Sequence, residues 1–218
     1  GEDMEPLDLF ELNDINNVDN DDNGYVDDVI GYDFAGVVQE ETAEDAPDPD
    51  SDPNDFDGHG THVAGIIGAV GNNGEGITGI NWNTSLIALK VFPDEGGGAA
   101  VSDQISAIEY ADERNLDIAN MSLGGGNFSI TRLTALEQAS ETLFIASAGN
   151  DGSDNDNSPV YPASYDLDNI ISVMATDQSD QTASFSNYGA ASVDLAAPGV
   201  EIHSTYLIKH FFCHTDTI

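Results

Sequence analysis

The chain has 218 residues, enough for one α/β domain with a sizeable core. Four basic against 41 acidic residues leave a net charge of −37, densest between Asp14 and Asp57. That balance argues against nucleic acid or an anionic membrane as partner, since both are polyanions, and it favours cation binding and a saline habitat where salt screens self-repulsion. No apolar run approaches the length of a bilayer span. Cys213 is the only cysteine, so no internal disulfide forms.

Residues 1–58 hold few apolar residues and many Asp, Asn and Pro, and read as loop with short strands at most. The chain starts at Gly1 without a basic-apolar signal segment, so it reads as a processed product or a fragment. Small residues predict a helix over 62–69, followed by a Gly/Asn-rich loop over 70–79. The run over 85–92 is nearly continuously apolar, as a buried parallel strand is. Ser102 predicts an N-cap, and Val101, Ile105 and Ile108 form the stripe of a helix ending near Asn115. Strands are predicted over 116–123, 143–147, 170–174 and 192–195, with a helix over 131–140. Strand, helix, strand at this spacing predicts right-handed crossovers and one parallel sheet, with no internal repeat and no interdomain linker. Ligands of open parallel sheets bind beyond the carboxyl ends of the strands. Ser122-Leu123-Gly124 and Gly149-Asn150 both fall at such ends, which directs them to one cleft.

Three segments carry candidate chemistry. In Asp57-Gly58-His59-Gly60-Thr61-His62-Val63-Ala64-Gly65 an imidazole opens a run of small residues leading into Ile66-Ile67. A histidine acting as general base needs a fixed tautomer and a nucleophile within hydrogen-bond reach, and small neighbours admit a substrate. The alternative is that His59 and His62 are packed residues; a zinc site lacks further His or Cys nearby to complete it. Asn150 reads either as a turn residue or as an amide aimed at developing charge. The run from Asp19 to Asp27 offers oxygen ligands in Asp19, Asp21, Asn23 and Asp27, with Gly24 at the sixth position of a calcium loop. Ile30 stands where an EF-hand places its bidentate Glu, so the loop is not a complete EF-hand, and an acidic loop without metal stays open.

The histidine segment resembles the histidine motif of the subtilisin-like serine proteases (subtilases, peptidase family S8). Three more segments resemble that family in the same order. They are Asn120-Met121-Ser122-Leu123-Gly124-Gly125, Ala146-Ser147-Ala148-Gly149-Asn150-Asp151-Gly152, and Ala183-Ser184-Phe185-Ser186-Asn187-Tyr188-Gly189 through Asp194-Leu195-Ala196-Ala197-Pro198-Gly199. Four ordered motifs over roughly residues 14–205 make the likeness specific. It implies an α/β fold in three layers, a parallel β-sheet flanked by helices, here incomplete at both ends. It implies serine endopeptidase chemistry through an acyl-enzyme, with His59 as catalytic base and Asn150 as oxyanion donor. Ser122, Leu123, Gly124 and Gly149 become substrate-binding residues, holding a peptide as an added strand. Asp19, Asp21, Asn23 and Asp27 become a structural calcium site, Asn72 and Asn73 resembling part of a second. A secreted monomer acting on peptide or protein substrate is expected.

The triad of the resemblance is incomplete. The family order is Asp, His, Ser, yet residues 1–58 hold no apolar strand ending in Asp-Thr/Ser-Gly. After Ala197-Pro198-Gly199 the chain reads Ile202-His203-Ser204-Thr205 and departs, with no Gly-Thr-Ser-Met-Ala. Three of the five histidines and Cys213 crowd into 203–214, a composition break that reads as a frameshift, a misread exon or a truncated assembly, with a real variant tail as the alternative. The expected organisation is an acidic loop-rich N-terminal part over 1–58, a partial catalytic domain over 59–205 and an aberrant tail over 206–218. The chain alone is expected to be inactive; the alternative is a non-catalytic calcium- or peptide-binding relative.

Overall fold

The computed structural model describes residues 17–19, 23–35, 49–94 and 97–207. In chain order the elements are β1 (Gly31–Asp33), α1 (His59–Gly68), β2 (Ala88–Lys90), α2 (Val101–Glu113), β3 (Ile118–Met121), α3 (Ile130–Gln138), β4 (Leu143–Ser147), β5 (Ile170–Thr176) and β6 (Leu195–Pro198). All strand pairs are parallel. They form a two-stranded sheet β1-β2 and a four-stranded sheet β3-β4-β5-β6. The fold is α/β, parallel sheets flanked by helices, as expected; the sheet is divided rather than continuous among the described residues.

Apolar stripes at helical spacing meet alternating strand residues in one core. Ile108 of α2, Ala135 and Leu136 of α3, Met121 of β3, Phe144 and Ala146 of β4 and Ile170 of β5 pack together. Leu136 and Phe144 are essentially inaccessible. A second core joins Phe34 and Val91 to Ala107 and Tyr110, flanked by Tyr25 and Tyr32. Its rings meet mostly edge to face, Tyr25 lying 4.9 Å from both Tyr32 and Tyr110, the geometry that the ring quadrupole favours. Helix α2 contributes to both cores, and Leu123 packs against both. The two sheets are thus joined through α2 and Leu123.

Several expected boundaries are corrected by side-chain anchoring. Ser102 is not the N-cap of α2: Ala100 is, in extended conformation, and the Ser102 hydroxyl donates to Asp103 inside the first turn. Ser129 does cap α3, accepting the Arg132 N–H. The strand expected over 85–92 shortens to β2, because its described ladder is only the length of β1. With β1 alone beside it, β2 is half-exposed rather than buried. The strand expected over 192–195 begins later. Asp156 draws in the amide and hydroxyl of Ser192, and Asp194 accepts the Ser172 amide, so the ladder starts at Leu195. That shift extends β5 to Thr176, which pairs with Pro198. The link from β4 to β5 runs through turns rather than a crossover helix.

Candidate active site

Helix α1 begins at His59, three residues earlier than its small-residue pattern suggests, and the reason is Asp55. One Asp55 oxygen accepts the amides of Asp57 (3.0 Å) and Gly58 (2.8 Å); the other accepts the amide and hydroxyl of Thr61 (both 2.7 Å). These donors would otherwise be orphans at a helix start. Burial pushes the Asp55 carboxyl up, but the bonds from Gly58, Thr61 and Asp57 outweigh it and hold the carboxyl below its usual value. Gly58 makes the turn into the helix with φ +104°, a conformation that disfavours side chains. His59 itself is exposed to solvent.

A strap from residues 202–206 crosses α1. The Ser204 hydroxyl donates to the His62 carbonyl (2.6 Å), Thr205 to the Thr61 carbonyl (2.7 Å) and Tyr206 to the Asp57 carbonyl (3.2 Å). His62 Nε2 lies 3.1 Å from the Ile202 carbonyl. Gly65 is the one fully buried residue of α1, and a Cβ there would run into Thr205 and Ser204. Ser204 is therefore bonded to the helix backbone and not to His59. Among the described residues no hydrogen bond joins His59 to a carboxylate, to a serine or to Asn150.

The ends of β3 and β4 do come together. Ser122 and Leu123 leave β3 half-buried, and Asn120 donates to the Ser122 hydroxyl (2.8 Å). A Cβ built on Gly124 or on Gly149 would lie 3.6 Å from the same Val160 methyl. Beyond β4 Asn150 is exposed, between Gly149 (φ +111°) and Asp151. Gly124, Gly149 and the exposed Asn150 thus lie together past the ends of these two strands. Sequence reasoning missed the residues that anchor these segments: Asp55 at the start of α1, and buried Asn187 and Asn155 beside the turn that carries Asn150. Asn187 lies inside a quoted motif, but only the fold shows that it turns inward.

The acidic loop places its oxygens around its own backbone. Asp19 accepts the amides of Asn23 (3.1 Å) and Gly24 (2.7 Å), Asn23 accepts that of Tyr25 (2.8 Å), and Asp27 accepts that of Asn17 (2.8 Å). All-oxygen donors suit a hard cation. Among the described residues no group of three or more His, Cys, Asp or Glu is gathered closely enough to hold a metal. Asp21 lies outside the described residues.

The sequence model of the Subtilase family matches residues 16–217. The chain belongs to the subtilase family. It is 42% identical over 177 residues to the thermophilic serine proteinase of Bacillus sp. (strain AK1), covering 80% of this chain and 39% of that one. It is 40% identical over 164 residues to thermitase of Thermoactinomyces vulgaris, covering 74% of this chain and 56% of that one. Among solved structures it is similar to a protease from Pseudoalteromonas arctica, with a TM-score of 0.66 and 31% identity over 78% of this chain and 56% of that one. This subtilase thus spans about half the length, or less, of the curated relatives it matches. No helix among its described residues is long and apolar enough to cross a membrane.

Proposed function

We propose that this subtilase is the central part of a secreted serine endopeptidase. In the complete enzyme His59 acts as general base, shuttling the proton between nucleophile and leaving amine, while the Asn150 amide stabilises the oxyanion of the tetrahedral intermediate. Ser122, Leu123, Gly124 and Gly149 hold the peptide as an added strand. The observation that carries the reading is that Gly124 and Gly149 lie just past the carboxyl ends of the adjacent parallel strands β3 and β4, with Asn150 solvent-exposed beside them. Calcium on Asp19, Asp21, Asn23 and Asp27 would supply charge neutralisation and local rigidity, and no catalytic step runs through it. The substrate is a peptide or protein and the unit acts as a monomer.

Within these residues no serine follows the family's nucleophile pattern, and Ser204 donates to the His62 carbonyl. The chain by itself is therefore inactive. The same bond is what favours the second reading, a peptide- or calcium-binding relative without turnover.

The test is completion. An Asp-Thr-Gly strand supplied upstream and a Gly-Thr-Ser-Met-Ala helix after Thr205, both from a related enzyme, should produce casein hydrolysis that His59→Ala abolishes. Asn150→Ala should then lower kcat about a hundred- to a thousandfold, the loss known for removal of the oxyanion-hole asparagine of subtilisin. A completed chain that folds cooperatively yet stays inert would establish the second reading.

A further inference from the structure

The Asn150 amide works only if the turn carrying it is stiff, since an oxyanion donor must be aimed before charge develops. Yet Asn150 is exposed and preceded by a glycine in the left-handed region, a mobile combination. The rigidity comes from elsewhere. Asn187 is fully buried; its Oδ1 accepts the amides of Asp151 (2.8 Å) and Ser153 (3.1 Å). Its own backbone amide donates to the Gly149 carbonyl (2.9 Å). One side chain and its backbone thus grip the residues on both sides of Asn150. A Cβ on Gly149 would sit 2.6 Å from Asn187 Nδ2, so the grip is also a close packing contact.

Asn187 is oriented in turn. Its Nδ2 donates to Oδ1 of buried Asn155 (3.0 Å), whose Nδ2 donates to the Ala148 carbonyl (2.8 Å). The Ala148 carbonyl can only accept, and the amides of Asp151 and Ser153 can only donate. Both side-chain amides therefore have one permitted orientation, fixed from both ends. Ser186 fastens this relay to β5: it accepts the Ala175 amide (2.8 Å) and donates to the Asn187 carbonyl (3.0 Å). Each member is buried and satisfied, the condition under which a polar network stiffens its surroundings.

We propose that Asn187, oriented by Asn155, is the positioning residue for the Asn150 oxyanion donor; this rests on the reading of Asn150 given above. The test begins with the chain itself. Amides of Asp151 and Ser153 should exchange slowly with solvent deuterium, and Asn187→Leu should speed them about tenfold to a hundredfold relative to amides within β4. Asn187→Asp gives a signature that mere packing does not. Its carboxylate would set an oxygen against Asn155 Oδ1, and turning Asn155 over would set that oxygen against the Ala148 carbonyl. Once protonated, the carboxyl O–H donates to Asn155 and the relay re-forms. The ionised carboxylate still accepts the amides of Asp151 and Ser153 but donates nothing to Asn155, so protection at both, corrected for intrinsic exchange, should fall at neutral pH by less than in Asn187→Leu and recover on acidification. Loss of protection independent of pH, or unchanged protection in Asn187→Leu, overturns the proposal. In the completed enzyme Asn187→Leu should lower kcat about tenfold or more with KM nearly unchanged; a fall confined to KM also overturns it. If the completed enzyme is inert, the proteolytic reading fails, and amide exchange still decides whether the relay holds the turn.

Discussion

Asp55 shows how much a single carboxylate does beneath the histidine. It gathers the donors of Asp57, Gly58 and Thr61 at the start of α1, in the field of the helix's positive end. Its folded pKa is depressed below the ordinary 3.8. A depressed carboxylate contributes stability above its unfolded pKa, and that contribution disappears as pH falls through the folded value. Asp55→Ala should therefore lower unfolding stability by about 0.5–2 kcal/mol at neutral pH, the range of a lost helix cap. The deficit should vanish in acid, below the folded pKa. Urea melts of both proteins at neutral and acid pH measure it, and an equal deficit at both would show that packing rather than charge is at stake. At this scale the sequence was informative about chemistry and silent about support. His59 and Asn150 stood out because their motifs are local, whereas Asp55, Asn155 and Asn187 act across turns that no spacing rule encodes.

Among elements, a central strand such as β4 was legible because its apolar run is continuous, buried residues alternating with half-buried ones, and it spans the expected residues. The peripheral ones were not. β6 is exposed throughout and begins where Asp156 and Asp194 release the chain, a matter of distant hydrogen bonds. β1 hides in the acidic loop region because three residues are too few to alternate visibly. The acidic loop is wired to α2: Asn23 donates to Asp28 (2.9 Å), which accepts the Tyr110 hydroxyl (2.8 Å) and lies 3.6 Å from the Arg114 guanidinium. Burial first, and then this bond to Asp28, push the Tyr110 hydroxyl far above its ordinary 10.0, so it stays a donor at any physiological pH. An ion held by the loop would thus stabilise α2 and the aromatic core with it. At a hundredfold excess over its dissociation constant, calcium should add about 2.7 kcal/mol to stability. Calorimetric titration should show saturable binding weakened by Asp21→Ala. Identical melting curves in calcium and in chelator would count against the site.

For the molecule as a whole, a net charge of −37 dominates. Repulsion among so many carboxylates opposes compaction, and salt shortens its reach from about 10 Å at 0.1 M to about 3 Å at 1 M. The thermal midpoint should therefore rise as sodium chloride increases over that range, and potassium chloride should act alike. A midpoint that falls or stays flat would refute charge repulsion as the limiting term. The strap over α1 bears on a different question, the order in which parts of this molecule come into being. Its hydroxyls reach back 142, 144 and 149 residues to the turn and helix around His59. At ribosomal speeds of about 5–20 residues per second, the helix emerges roughly 7–30 s before its fastening exists. Through most of synthesis α1 must therefore hold its shape by its own backbone bonds and the Asp55 carboxylate, and the clasp from Ser204, Thr205 and Tyr206 closes only after nearly all of these residues have been made.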